Sequence, residues 1–72
     1  MSRKLSTYYS DRGKGYAEVH FDFREEQAYI DYFDDNGNKF FTEDFPEKSV
    51  RYVEDAAENW ALGIKKLAGE YH

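Results

Sequence analysis

Residues 16–42, YAEVHFDFREEQAYIDYFDDNGNKFFT, decide the fold. From Tyr16 to Phe23 apolar and polar side chains alternate strictly, the period-two signature of a half-buried strand. Residues 27–34 are β-rich, and the polar stretch Arg24–Gln27 between them reads as a turn. Asn36-Gly37 is a strong hairpin signal, predicting a type I′ turn with positive φ at both positions. Residues 38–43 then form the third strand.

The two turns predict registers that can be compared. A two-residue loop at Asn36-Gly37 sets Phe33 opposite Phe40 and Tyr32 opposite Phe41. A turn centred on Glu25-Glu26 sets Phe23 opposite Ala28, Phe21 opposite Ile30 and Val19 opposite Tyr32. Both place Ala17, Val19, Phe21, Phe23, Ala28, Ile30, Tyr32 and Phe41 on one face, and Tyr16, His20, Tyr29, Phe33 and Phe40 on the other. A slip of one residue would invert every side chain, so the agreement supports the sheet. Both faces are rich in aromatic residues, yet the chain has one good helix to cover one of them. The second face therefore calls for a partner, a second copy, or the N-terminus of the chain itself.

Outward from this stretch, residues 4–9 read as a fourth strand returning through the loop Ser10–Gly15, in preference to a flexible arm over residues 1–15. The C-terminal third reads as a helix over residues 44–70. Asp44-Phe45-Pro46-Glu47 resembles a capping box with Pro in the first turn, and Ser49 is a competing N-cap. Val50, Val53, Ala57, Trp60, Ala61, Ile64, Leu67, Ala68 and Tyr71 form one stripe at a period of 3.6. Acid falls early and Lys65 and Lys66 late, matching the helix dipole. Gly69 is the expected stop, with Gly63 an interior cost of roughly 1 kcal/mol. A helix from Glu47 to Ala68 would be about 33 Å long, against about 25 Å for the strands. An overhang bearing Ile64, Leu67 and Tyr71 would suit a dimer interface, and Leu62 is a second exposed apolar contact.

The expected architecture is α+β: one domain, a three- or four-stranded antiparallel meander over 16–43 with a possible added edge strand, followed by one long helix packed on one face. At 72 residues such a domain buries only about 60% of its unfolded surface. There is no Cys for a disulfide framework. Six Phe, seven Tyr and one Trp supply packing area instead, and self-association would add more. Met1-Ser2-Arg3-Lys4-Leu5-Ser6 lacks an apolar signal-peptide core, no membrane span is readable, and the cytoplasm is the expected location.

With 15 acidic against 10 basic residues the net charge is −5. That balance repels nucleic-acid phosphates and favours basic partners. Arg3, Lys4, Arg12 and Lys14 concentrate base in the first fifteen positions.

Candidate chemistry is sparse. His20, expected opposite Asp31 with Asp22 and Tyr29 beside it, has the makings of a general base. Thr42 is the only nearby hydroxyl besides Tyr, and a flat sheet offers no cleft, so a structural cross-strand pair is the better reading. Asp34-Asp35-Asn36-Gly37-Asn38 resembles the start of a calcium loop, but its glycine falls at the fourth position and Phe45 at the twelfth, where a Glu is required. Asp11-Arg12-Gly13-Lys14-Gly15 could cradle an anion, but it lacks the length and the Lys-Ser/Thr ending of a P-loop and reads as a hairpin loop. No cofactor or metal is expected. Tyr29, Phe33 and Phe40 could stack on bases, but Glu18, Asp22 and Asp31 share that face.

The stretch Asp34–Leu67 resembles small uncharacterised proteins of tailed phages of marine cyanobacteria. The likeness is carried by Phe40-Phe41-Thr42-Glu43-Asp44-Phe45-Pro46 and Tyr52-Val53-Glu54-Asp55-Ala56-Ala57-Glu58-Asn59-Trp60. It covers about half the chain, contains no functional motif, and implies a small host-interacting protein acting in the host cytoplasm. The sequence thus points to a non-enzymatic interaction module that forms a homodimer or binds a protein partner. Tyr29, Phe33, Phe40 and His20 on the sheet, with Leu62 and Tyr71 on the helix, are its candidate contacts. Alternatives are an acidic mimic of nucleic acid that inhibits a basic host protein, using Glu54, Asp55 and Glu58, and single-stranded nucleic-acid binding through the open sheet face.

Overall fold

The computed structural model describes residues 2–64. Four strands, β1 (Ser2–Tyr9), β2 (Tyr16–Asp22), β3 (Gln27–Phe33) and β4 (Lys39–Phe45), precede one helix, α1 (Val50–Ala61). The strands form an antiparallel meander in the order β1-β2-β3-β4. The α+β architecture is therefore as expected, and the N-terminal segment is an edge strand. Helix α1 packs on β2, flanked by β1 and β3. Between helix and sheet lie Ala17, Val19, Ala28, Ile30, Tyr32, Phe45, Val53, Ala57, Trp60 and Ala61, all buried.

The register between β2 and β3 differs from expectation by two residues. Phe21 pairs with Ala28, Val19 with Ile30 and Ala17 with Tyr32. A two-residue loop at Glu25-Glu26 would need positive φ at Glu25, or at both residues, and neither is glycine. Instead the Asp22 carboxylate accepts hydrogen bonds from the amides of Arg24 (2.9 Å) and Glu25 (3.3 Å). The loop becomes Phe23–Glu26, with Glu26 alone of its residues in the left-handed region at φ 54°. A shift of two keeps every side chain on its face, so the core survives. Phe23, expected in the core, lies in the turn and is exposed.

The second hairpin also departs from the predicted turn. The Gly37 amide donates to the Asp34 carbonyl and the Asp34 amide to the Asn38 carbonyl. Asp34 Oδ1 accepts from the amides of Asn36 and Asn38, both at 2.9 Å. Only Gly37 has positive φ, 85°. This is a three-residue loop with a bulge rather than a type I′ turn. Tyr32 still faces Phe41, but Phe33 faces Lys39. Phe40 is the residue the bulge takes out of the ladder.

The sheet runs on through Phe45, and the helix starts later than expected. Its N-cap is Ser49, whose hydroxyl accepts from the Tyr52 amide at 3.1 Å. Pro46 and Glu47 (φ 64°) form a tight turn closed by the Lys48 amide on the Phe45 carbonyl. That turn has Pro and a left-handed residue at its two central positions, as in type II. The first helical turn consequently holds no acid. Gly63, at φ 82°, ends the helix: its amide donates to Trp60 and that of Ile64 to Asn59, the paired bonds of a Schellman motif. Twelve residues span about 18 Å, so no helical overhang exists among the described residues. Leu67, Gly69 and Tyr71 lie outside them.

The loop between β1 and β2 closes the same end. The Asp11 amide donates to the Ala61 carbonyl at 2.9 Å, and the Arg12 guanidinium lies over Gly63. The segment Asp11–Gly15 thus caps a helix C-terminus, satisfying a free carbonyl and placing a cation at the negative end of the dipole.

Candidate interaction surfaces

Three cross-strand rows organise the face of the sheet that the helix leaves open. In the first, Tyr9, Tyr16 and Phe33 form a chain of rings. Tyr9 and Tyr16 are 5.6 Å apart at 46°, and Tyr16 and Phe33 stack at 4.7 Å and 12°. Lys39 follows across the next strand pair. In the second row Thr7, Glu18, Asp31 and Thr42 stand side by side. In the third are Lys4, His20, Tyr29 and Asp44.

His20 therefore lies opposite Tyr29, not Asp31, a direct consequence of the two-residue register shift. The two rings stack at 5.0 Å and 8°. Two carboxylates, Glu18 and Asp31, face one another, an arrangement that repels by itself. It is balanced from three sides. His20 Nε2 lies 3.1 Å from Glu18 Oε1 and 3.7 Å from Asp31 Oδ2. Lys4 reaches Glu18 at 3.8 Å and Lys39 reaches Asp31 at 3.9 Å. Thr42, opposite Asp31 as expected, donates its hydroxyl to Asp31 Oδ1 at 2.7 Å. Chemically this is a charge-balanced lattice on an open surface. The Thr42 hydroxyl is committed to Asp31, and each histidine contact is with a carboxylate or a ring.

The rings of this face are largely spent on one another. Tyr16, His20, Tyr29 and Phe33 are all half-buried, and Tyr29 also donates its hydroxyl to Ser2 Oγ at 3.0 Å. Phe33 and Phe40 do not meet. At the bulge Phe40 sits 6.3 Å from the Tyr32 ring, whose edge packs on Trp60 in the core. The expected joint patch of Phe33 and Phe40 is thus divided between two parts of the molecule.

Exposed rings also gather between β4 and the helix, among them Phe41, which alternation assigns to the core face. Helix α1 is centred over β2, so β4 is the strand farthest from its axis. Phe40 and Phe41 on β4 remain 48% and 38% exposed, and Tyr52 on the helix 52%. A groove of about 350 Å³ runs between β4 and the helix, lined by Glu43, Phe45, Tyr52, Asp55, Ala56 and Asn59. Glu43 accepts the buried Tyr32 hydroxyl at 2.9 Å. Leu62, at the helix C-cap, is exposed as expected, and Tyr71 lies outside the described residues. The exposure of Phe41 was not legible from alternation, because alternation assigns a face but not the lateral position of the helix.

Among the described residues no group of acidic, His or Cys side chains is arranged to hold a metal ion, and no helix is long and apolar enough to cross a membrane. No protein-family model, curated protein or solved structure matches the chain.

Proposed function

We propose that this chain is a small interaction module that self-associates and acts through contacts rather than chemistry. The observation that carries this reading is the pair Phe40 and Phe41, adjacent rings left 48% and 38% exposed on β4, whose far end alone, at Phe45, is buried under the helix. Aromatic side chains of this kind anchor interfaces because they offer large area for few frozen torsions. Tyr52 extends the apolar surface, beside a groove of mixed polar and apolar lining. The cyanobacterial-phage resemblance adds the proposal that such contacts are made inside a host cell.

Light scattering over a concentration series tests the reading. The wild type is expected to gain mass towards the dimer. Phe40→Ala with Phe41→Ala should weaken association far more than it lowers the melting temperature. A single-chain mass at millimolar concentration would refute it.

The acidic-mimic reading draws on Glu43 and Asp55 lining the groove; salt-sensitive binding to a basic protein would favour it. Nucleic-acid binding through the open face is disfavoured by Glu18 and Asp31 at its centre, where a backbone phosphate would have to pass.

A further inference from the structure

We propose that the partner is a second copy of this chain joined edge to edge along β4, with Thr42 on the two-fold axis and the two sheets continuous. The proposal rests on the self-association reading and specifies its geometry.

Strand β4 ends the sheet, so every second residue directs its backbone N–H and C=O away from β3. Such an edge is a template for another strand. The opposite edge, β1, is blunted. A bulge at Leu5 interrupts it at mid-strand, Arg3 and Lys4 flank the interruption, and Ser6 Oγ is tied to Glu54 of the helix at 3.0 Å. The irregularity in β4 falls at its start, leaving Phe41–Phe45 in unbroken register with β3.

The side chains of β4 select one self-pairing. Antiparallel partners share a face, so allowed registers differ by steps of two. The bulge removes Phe40 from the count and puts Lys39 on the same face as Thr42 and Asp44. With Thr42 opposite its own copy, Phe41 meets Glu43 of the second copy and Lys39 meets Asp44 of the second copy. The symmetry then makes two Lys–Asp pairs. Centring on Phe41 instead would leave Lys39 opposite Thr42, and centring on Glu43 would set two carboxylates face to face. Only the Thr42-centred register complements charge. It also brings Phe40 and Phe41 of both copies to the same side near the axis. The contact is isologous and closes at the dimer, whereas pairing β4 with β1 of another copy would propagate into a filament.

Charge exchange tests the register. Lys39→Asp and Asp44→Lys, each alone, should raise the dimer dissociation constant about tenfold or more, since each sets like charges opposite one another twice. An equimolar mixture of the two variants should recover a heterodimer of near wild-type affinity, because both cross-pairs are then complementary. Amides of β4 in the wild type should exchange more slowly at dimer-forming concentration than when dilute. The exchange experiment needs no substitution and so decides the matter if either variant fails to fold. A wild type that dimerises with unchanged β4 exchange, or folded variants whose mixture shows no recovery, would overturn edge pairing and leave self-association standing. A single-chain mass at all concentrations would overturn both. Filament growth would assign β4 to β1 and refute the closed pair.

Discussion

Gly15 is the position where one methyl group should do the most damage. It has φ +112°, which L side chains rarely adopt, at a cost of about 1–3 kcal/mol for any other residue. A Cβ there would also overlap the Phe33 carbonyl oxygen and approach the Asp34 carbonyl carbon to 2.6 Å and its Cα to 2.8 Å. These are backbone atoms, held by the Asp34–Asn38 hydrogen bond at 2.9 Å, so relieving the overlap must distort the hairpin for about another 1–3 kcal/mol. Gly15→Ala should therefore cost about 2–6 kcal/mol, a large share of the roughly 4–11 kcal/mol expected for a chain of this size. Gly13 is the internal control. Its φ is +69°, but nothing lies within 4 Å of a Cβ, so Gly13→Ala should cost about 1–2 kcal/mol. Urea denaturation followed by Trp60 fluorescence at one fixed protein concentration reads the difference. With a slope of about 1 kcal/mol/M, the Gly15→Ala midpoint should fall about 2 M below that of Gly13→Ala, or the variant should be unfolded without urea. Midpoints equal within about 0.3 M would refute the claim that the β1–β2 loop packs against the β3–β4 hairpin.

Three further outcomes follow from single contacts. Tyr32→Phe removes the hydroxyl that a fully buried ring donates to Glu43 and should destabilise by about 1–2 kcal/mol, measured by the same denaturation. Ser49→Ala should cost about 1 kcal/mol through loss of the N-cap; no change in the melting temperature would return the cap to Asp44. His20→Ala should destabilise by about 1 kcal/mol, by deleting its stack on Tyr29 and its contact with Glu18. Adding Glu18→Gln to it should recover part of that loss, because Asp31 then faces a neutral side chain; purely additive effects in the double-mutant cycle would deny the coupling.

Strict alternation from Tyr16 to Phe23 and the β-rich run after Gln27 made the meander legible, and the face assignment survived a register error because that error was even. Phe23 shows where local reading stops. Whether it closes the core or hangs in the turn depends on the Asp22 carboxylate capturing two amides, a choice between two polar loops of similar propensity. The helix stop at Gly63 was readable in principle, yet a glycine serves as an interior residue or as a cap according to what lies against it. Here the Asp11 amide and the Arg12 guanidinium close that end.

By itself the amino-acid order determined the antiparallel meander of β2, β3 and β4, the face to which each residue of β2 and β3 belongs, and the presence of one amphipathic helix. Those properties follow from side-chain periods of two and 3.6, which are local. The lateral seat of the helix over β2, the bulge that parts Phe40 from Phe33, and hence the exposure of β4 were decided only by tertiary structure. They depend on which of several equally apolar stripes meet across the core. That is a matter of shape and loop closure between residues far apart in the chain.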